Sequence, residues 1–379
     1  MTHKPECRVC GGALFDAPLL CYTNMPKAAQ GMPGPADLAE DAGVDMDVWQ
    51  CAGCGLVQLV VPPVPYYKEV IRAAAVSADM AAFRRQQFAG WARQYGLVGR
   101  KVIEIGCGRG EYLRLLAESG VDAFGIEAAP ASVAEACGAG LRVTQAYAGD
   151  AGFAGPDGPY DGFCILNFME HMPDLPQVLA NINRLLTPGG VGLIEVPNFD
   201  MMLRKGLFAE FVTDHLYYFT KDTLAHTLGG HGFDVVECGE ILHDYVISAT
   251  VRRREPLDVR ALSANESVLG AALEAYLEKF GPNRVAIWGA GHQAFAVMAL
   301  YSLGGRVRYV VDSAPFKQGR FTPATHIPIV PPERLAEDPV DAIIVMAGGY
   351  SDEVVRLVKN RWAPGVQVAI LRHAGLEDA

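Results

Sequence analysis

The sequence predicts an α/β protein in which a doubly wound, mostly parallel sheet is followed by a second, smaller α/β domain. Apolar strand-like segments alternate with helical segments from Lys101 onward, and a strand–glycine–helix unit occurs twice, at KVIEIGCGRG and at RVAIWGAGHQA. Alternation of this kind is typical of parallel sheets. The N-terminal stretch lacks such periodicity and is rich in Cys, Gly and Pro. We therefore expect three domains, at 1–66, 67–255 and 256–379.

The elements of the central domain can be assigned in order. A helix is expected from Lys68 to about Tyr95, and the buried strand KVIEI and the helix EYLRLLAESG follow it. The alternation continues with the strand VDAFGIE, the helix PASVAEACGAG, the strand YDGFCIL, a helix near 175–186 and the strand GVGLIEV. FDVVECGEIL and YVISATVRR are two strand candidates about ten residues apart, a distance that favours an antiparallel edge. A long helix near 257–280 and four more strand candidates form the last domain.

Composition limits the classes of function. Half of the 379 residues are apolar, and the formal net charge is −11. A surface this acidic disfavours general binding to nucleic acid, although it does not exclude a pocket for one phosphorylated small molecule. No apolar segment is long enough to span a membrane, and no apolar signal core begins the chain. We expect a cytoplasmic protein, a monomer or weak homodimer, that acts on a small-molecule substrate without nucleic-acid or membrane partners.

Four cysteines form two CxxC pairs, CRVCGG and CAGCG. Each pair is followed by glycine, which allows the turn to direct backbone amides at the sulfurs. Two such pairs supply the four thiolates that tetrahedral Zn²⁺ prefers, and a site with four thiolates is structural because no position remains open. A redox pair is the alternative, but it normally needs one CxxC beside a βαβ unit. The predicted zinc ligands are Cys7, Cys10, Cys51 and Cys54.

The first glycine-rich turn predicts a nucleotide-like cofactor. It follows a strand and precedes a helix, so that a ligand can approach the backbone and the helix amides. An acid, Glu127, ends the next strand, where a carboxylate can accept hydrogen bonds from both ribose hydroxyls. The residues of this turn are Glu104, Gly106, Gly108 and Gly110.

The second glycine-rich turn leaves three interpretations open. Gly289 and Gly291 precede a helix, and Asp312 ends the following strand. The turn can belong to a dinucleotide site, to a site for a nucleoside diphosphate, or to an inherited fold without a ligand.

These motifs together resemble a known family. EIGCGRG with Glu127 resembles the first motifs of class I S-adenosylmethionine (SAM) methyltransferases, and NFMEH and LLTPGGVGLIEVPN resemble their later segments. The whole chain resembles the SAM-dependent sugar C-methyltransferases of deoxysugar biosynthesis. Those enzymes combine an N-terminal four-cysteine zinc module, a central SAM domain with a class I Rossmann-like fold, and a C-terminal Rossmann-like domain. The segment DHLYYF resembles their Glu-His-x-x-Tyr-Phe motif, with an aspartate in place of the glutamate. The family tyrosine two residues before that acid is here Val212.

The resemblance implies roles for particular residues. SAM and structural Zn²⁺ are the expected cofactors, and a nucleotide-linked keto-deoxysugar is the expected substrate. His215 is the expected general base, because an imidazole titrates near neutral pH and a sugar carbon becomes a nucleophile only after a proton is removed next to a ketone. The alternative is a structural histidine that caps the next helix. The remaining candidate residues are Asn167 and His171 at the cofactor; Asp214, Tyr217 and Tyr218 beside the base; and Gly289, Gly291, Asp312 and Lys317 at the substrate. Tyr66 either reaches the substrate from the N-terminal module or packs at the domain junction.

Three competing functions remain. The nearest is methylation of oxygen or nitrogen on a related sugar or small metabolite by the same scaffold. An RNA methyltransferase with a zinc module is opposed by the acidic balance and by the lack of a basic, aromatic-interleaved stretch. A nicotinamide oxidoreductase would use the second glycine-rich turn.

Overall fold

The computed structural model describes residues 5–30, 32–69, 76–153, 155–373 and 375–379. By its internal contacts the chain divides into two compact units, Met1–Glu255 and Pro256–Ala379. Within the described residues, no helix is long and apolar enough to cross a membrane.

The first unit contains eleven strands and six α-helices among its described residues. The strands are β1 (Leu20–Met25), β2 (Val44–Gln50), β3 (Val57–Leu59), β4 (Lys101–Ile105), β5 (Asp122–Glu127), β6 (Val143–Gln145), β7 (Tyr160–Leu166), β8 (Leu186–Pro197), β9 (Tyr217–Tyr218), β10 (Phe233–Ile241) and β11 (Val246–Arg253). The helices are α1 (Ala78–Gln94), α2 (Glu111–Glu118), α3 (Pro130–Gly138), α4 (Leu175–Leu185), α5 (Phe199–Lys205) and α6 (Lys221–Gly230). The helix predicted from Lys68 to about Tyr95 is found only from Ala78 onward, as α1; Tyr67–Glu69 form a 3₁₀ turn instead, and residues 70–75 lie outside the described residues.

The large sheet of this unit has seven strands in the order β10-β11-β8-β7-β4-β5-β6. Strands β4 to β8 pair in parallel, whereas β11 runs antiparallel to both β8 and β10. This confirms the predicted doubly wound sheet and its antiparallel edge. The central strands read as continuous apolar runs because helices cover both faces of such a sheet. Their carboxyl ends meet at one edge, where ligands bind in open α/β sheets.

A second, four-stranded sheet connects the N-terminal segment to the central domain. Its order is β1-β2-β3-β9, and β9 comes from a distant part of the sequence. Val57 pairs with Tyr218 and Gln58 with Tyr217, so the DHLYYF segment is held by the edge of the N-terminal sheet. Apolar residues near the cysteines also share a core with the large sheet, among them Leu14 and Leu56. The proposed 1–66 module is therefore packed within the first compact unit, and the three-domain division stays a prediction.

The second unit is a smaller α/β structure. It begins with the long helix α7 (Arg260–Phe280), and its six-stranded sheet has the order β14-β13-β12-β15-β16-β17. Its strands are β12 (Val285–Trp288), β13 (Val307–Val311), β14 (Ile329–Val330), β15 (Ala342–Val345), β16 (Gln367–Arg372) and β17 (Gly375–Asp378). Its other helices are α8 (His292–Leu300), α9 (Arg334–Glu337) and α10 (Ser351–Leu357). The predicted second α/β fold is confirmed.

Candidate functional site

The four predicted zinc ligands converge. Their Sγ atoms all lie within 4.8 Å of one another; Cys7 and Cys54 are 3.7 Å apart, and Cys10 and Cys51 are 3.5 Å apart. A Zn–S distance of about 2.3 Å places tetrahedral sulfurs about 3.8 Å apart, so the cluster has the size that zinc requires. The backbone N–H of Gly12 donates to Cys10 Sγ at 3.4 Å, and that of Gly53 donates to Cys51 Sγ at 3.3 Å. These residues therefore fit a structural zinc ion.

A cavity of 790 Å³ opens at the carboxyl edge of the large sheet. Gly106 follows β4, Asn167 follows β7, and Pro197 ends β8, and all three line the cavity. Parallel pairing places these strand ends together, so the glycine-rich turn and the NFMEH segment face the same space. The cavity has the volume of a typical small-molecule site.

The glycine-rich turn is shaped by its packing and by Glu127. A Cβ at Gly106, which has φ +70°, would lie 2.3 Å from the ring of Phe168, so this position requires glycine. Glu127 Oε2 accepts the N–H of Gly108 at 2.9 Å, and Oε1 accepts the N–H of Ala129 at 2.8 Å. Burial raises the pKa of Glu127, and the backbone amides oppose that rise. The carboxylate thus closes the turn and lines a small second cavity that shares Gly106 and Phe168 with the large one.

The other predicted cofactor residues divide into two groups. Gly108 and His171 line the large cavity with Asn167. Glu104 is buried within β4, and Gly110 begins α2 close to Leu141; neither lines either cavity.

The DHLYYF segment brings two predicted catalytic residues into the cavity and turns two away. Asp214 and His215 line it. The Tyr217 hydroxyl donates to the carbonyl of Pro173 at 3.3 Å, and the Tyr218 hydroxyl accepts the N–H of Val212 at 2.9 Å. Both phenols are buried, which raises their pKa, and neither lines the cavity. The expectation that one of these tyrosines donates to the substrate stays a prediction; in this structure both hydroxyls bond to backbone groups.

Two histidines and a glutamate cluster beside Asp214. One ligand atom each from Glu170, His171 and His215 lies within 4.8 Å of the others, and the two imidazole rings are 4.7 Å apart. His171 Nδ1 lies 2.8 Å from the carbonyl oxygen of Asp214, so Nδ1 carries the hydrogen, since a carbonyl only accepts. Burial lowers the pKa of His171 to about 4. Burial and the neighbouring His171 lower that of His215 to about 3. Both rings are therefore neutral at physiological pH, and His215 is in the form that can accept a proton.

Comparisons with known proteins agree with this geometry. A model of the methyltransferase domain matches residues 76–238, and a model described as the C-methyltransferase C-terminal domain matches residues 259–372. The chain is 25% identical to C-methyltransferase NovU from Streptomyces niveus over 389 aligned residues, which cover 92% of this chain and 91% of that protein.

The chain is a SAM-dependent methyltransferase. The two models and the NovU match further support a C-methyltransferase. The methyltransferase is also 34% identical to a ubiquinone biosynthesis O-methyltransferase from Methylococcus capsulatus, over 25% of this chain and 42% of that protein. A solved SAM-dependent methyltransferase from Clostridium acetobutylicum matches half of the chain and 96% of its own length, with 12% identity and a TM-score of 0.39.

Two residues of the methyltransferase cavity were missed by sequence reasoning. The sequence pattern assigns Glu170 no role beyond its place in the NFMEH segment, and the structure buries it in the short 3₁₀ turn at Met169–His171. Arg84 on α1 is fully buried and pairs with Glu195 on β8, with both N···O distances at 2.6 Å. No local signal distinguishes Arg84 from a solvent-exposed helical arginine, because its partner is 111 residues away.

The second glycine-rich turn of the methyltransferase repeats the arrangement of the first. Asp312 accepts the N–H groups of Ala290 at 2.8 Å and Ala314 at 2.9 Å, and Lys317 Nζ lies 2.9 Å from it. Although burial raises the pKa of Asp312, these three donors outweigh it and lower the pKa below its usual value. Gly289 must be glycine because a Cβ would lie 2.6 Å from the carbonyl oxygen of Met346. Asp312 and Lys317 thus bind each other, whereas Gly291 lies exposed at the start of α8.

Proposed function

We propose that this enzyme transfers the methyl group of SAM to a carbon of a nucleotide-linked keto-deoxysugar, with His215 as the general base. The observation that carries the proposal is the single cavity lined by the glycine-rich turn, His215 and Asp214. A cofactor on Gly106 and Gly108 and a substrate beside His215 would share one space, so the methyl group and its acceptor would be held in line.

The chemistry requires few protein groups. Bound SAM supplies an activated methyl group. Neutral His215 removes the proton from the carbon next to the ketone, and the electron pair of the C–H bond is delocalised onto the ketone oxygen. The resulting enolate carbon is the nucleophile that attacks the methyl group. The low pKa of His215 keeps the free base present at physiological pH, but it also weakens the base, so proton removal requires a donor that stabilises the negative charge on the ketone oxygen.

Methylation at carbon is supported by how much of this chain each type of relative matches. The match to the C-methyltransferase NovU covers 92% of this chain, and residues 259–372 match a C-methyltransferase C-terminal domain. The O-methyltransferase match covers only a quarter of the chain. Methylation of oxygen or nitrogen on a similar molecule is the alternative, with His215 deprotonating the hydroxyl or amine directly.

The other parts of the chain have supporting roles in this proposal. Zn²⁺ bound by Cys7, Cys10, Cys51 and Cys54 stabilises the N-terminal segment. In the second unit, the exposed glycine Gly291 at the start of α8 favours the diphosphate of the substrate, because amides at a helix N-terminus attract anions. The pairing of Asp312 with Lys317 makes their predicted contact with substrate indirect, through the position of Ala290 and the turn.

Hydrogen exchange at the substrate carbon tests the proposal. The enzyme is incubated in heavy water with S-adenosylhomocysteine (SAH) and a thymidine-diphosphate-linked 4-keto-6-deoxyglucose, and deuterium at the carbons beside the ketone is followed by NMR. We expect exchange in the wild type and its loss by a factor of about 10²–10⁴ in His215→Asn. His226→Asn, on helix α6 outside the cavity, is the matched control. Methyl transfer from SAM without any exchange would favour the oxygen or nitrogen alternative.

A further inference from the structure

The carboxyl group of Glu170 is the most unusual polar group in the cavity wall. Its side chain is almost fully buried, at 1% exposure, yet it belongs to the residues that line the cavity. Its Oε2 atom has no hydrogen-bond partner among the described residues. A buried oxygen without a partner costs free energy unless a bound molecule supplies the missing contact.

Among the described residues, no lysine or arginine forms an ion pair with Glu170. The only ion-pair neighbour recorded for it within the described residues is His171, whose Nε2 atom lies 3.9 Å from Oε1, beyond hydrogen-bond distance. The other titratable groups near it are His215, on the loop before β9, and Tyr218 on β9. Both imidazoles are held neutral, and the backbone N–H of Glu170 itself is the one described group that favours the ionised carboxylate; burial outweighs it and raises the pKa.

We propose that Glu170 is a second catalytic residue, a neutral carboxylic acid that donates a hydrogen bond to the ketone oxygen of the substrate while His215 removes the adjacent proton. This inference rests on the proposed function. A ketone oxygen and the hydrogen on the neighbouring carbon are adjacent centres, and Glu170 and His215 present their polar atoms within 4.8 Å of each other. One substrate can therefore contact both.

Glu170 supplies the hydrogen-bond donor that was first expected from Tyr217 or Tyr218. The hydroxyls of Tyr217 and Tyr218 bond to the backbone of Pro173 and Val212, and neither tyrosine lines the cavity, so we assign the donor to the substrate oxygen to another group. Glu170 can donate only if it keeps its proton, and burial raises its pKa to about 8. At neutral pH most of the carboxyl is therefore protonated and serves as a donor.

The electrons and protons of the step balance. The C–H bond breaks, its proton goes to His215, and the electron pair forms a C=C bond while the ketone oxygen takes the negative charge. The O–H of Glu170 donates to that oxygen and stays bonded to Glu170. The carbon then attacks the methyl group of SAM, the S–CH₃ bond breaks with its pair on sulfur, and the ketone re-forms.

The protonation of Glu170 can be measured without any substrate. Infrared difference spectra of the SAH complex, recorded at about pH 6 and about pH 10, should show the carbonyl stretch of a protonated carboxyl that disappears at the higher pH. The band should be absent in Glu170→Gln and present in Glu118→Gln, which changes an exposed carboxylate paired with Arg85. A carboxylate that is already ionised at neutral pH would overturn the proposal.

The role as a donor is measured by the exchange reaction with the same nucleotide-sugar probe. Glu170→Ala should slow exchange by about 10²–10³, the usual effect of losing one oxyanion donor. Glu170→Gln should lose less, because its amide still donates. Wild-type exchange should fall as the pH rises above about 8, and this fall should vanish in Glu170→Gln. SAH binding and thermal unfolding establish that each variant is folded.

The contrary outcomes are distinct. Exchange in folded Glu170→Ala at the wild-type rate overturns the donor role and leaves the proposed function standing. Absence of exchange in the wild type overturns the proposed function and the donor role with it. A metal ion bound by Glu170, His171 and His215 would also overturn the donor role. Metal analysis would then find one equivalent more in the wild type than in Glu170→Gln.

Discussion

The hydroxyl of Tyr66 donates a 2.7 Å hydrogen bond to Oδ1 of Asp214, a residue 148 positions further along the chain. The other carboxylate oxygen of Asp214 accepts the N–H of Ala29 at 2.7 Å, and the N–H of Gln30 donates to Tyr66 at 3.0 Å. Ala29 and Gln30 line the large cavity. Asp214 therefore joins the N-terminal segment to the loop that carries His215.

Loss of this contact should affect substrate binding more than chemistry. A hydrogen bond to a charged group contributes about 1.5–3 kcal/mol, and Tyr66→Phe removes it without changing the ring. We expect KM for the acceptor substrate to rise about tenfold with a smaller change in kcat, as measured by steady-state kinetics. Tyr22→Phe, which removes an exposed hydroxyl bonded to the Phe208 carbonyl, is the control. An unchanged KM in Tyr66→Phe would show that the N-terminal segment does not shape the acceptor site.

Glu127 should contribute to SAM affinity both directly and through the turn that it closes. Glu127→Gln retains the shape but replaces one accepting oxygen by an amide that cannot accept from Gly108 or Ala129. We expect SAH affinity to fall by roughly ten- to a hundredfold, measured by titration calorimetry. Glu135→Gln, an exposed glutamate near Arg109, should bind normally. Equal SAH affinity in Glu127→Gln and Glu135→Gln would show that the ribose of the cofactor does not bind at Glu127.

The purified enzyme should contain one zinc ion per chain. Elemental analysis checks this in protein prepared without chelator, and Cys54→Ser should reduce the zinc content. Because Cys7 and Cys51 belong to the same apolar core as the large sheet, zinc removal should also lower the unfolding temperature of the first unit. Cys137→Ser, at an exposed cysteine outside the cluster, is the matched control. Full stability of a zinc-free protein would contradict a structural metal.

Stability should fall on mild acidification because of the buried histidines. His171 has a pKa of about 4 in the folded chain, below its value of 6.5 in the unfolded chain. Between these values the unfolded state binds a proton that the folded state does not, so the free energy of unfolding decreases as the pH falls. Each such group contributes about 1.4 kcal/mol per pH unit inside its window.

Urea unfolding at about pH 6.5 and about pH 5 measures this effect. His171→Asn should lose less stability than the wild type between the two, since asparagine does not titrate. Glu170 acts in the opposite direction, because its raised pKa costs stability as the pH rises from 4.5 toward about 8. Equal losses in wild type and His171→Asn would show that His171 is protonated in the folded state.

The sequence by itself determined the parts that depend on local pattern. The apolar run YDGFCIL predicted a strand with the bounds that the structure shows, because a strand buried on both faces is continuously apolar and this pattern is visible in the local sequence. The paired CxxC motifs predicted the cysteine cluster for a similar reason, since their turns are local. The glycine-rich turn and Glu127 were predicted because the order of strand, turn, helix and strand places them at one sheet edge.

Only the tertiary structure decided which side chains of the DHLYYF segment face the cavity. β9 pairs with β3, the hydroxyls of Tyr217 and Tyr218 bond to the backbone of Pro173 and Val212, and His215 lines the cavity. The same is true of Glu170, which lies in a 3₁₀ turn and whose carbonyl oxygen accepts the N–H of Leu216. A one-residue change in strand register reverses the direction of every side chain, and contacts between distant segments set that register. The chemistry of the site thus depends on pairings between distant segments that no local pattern in the chain encodes.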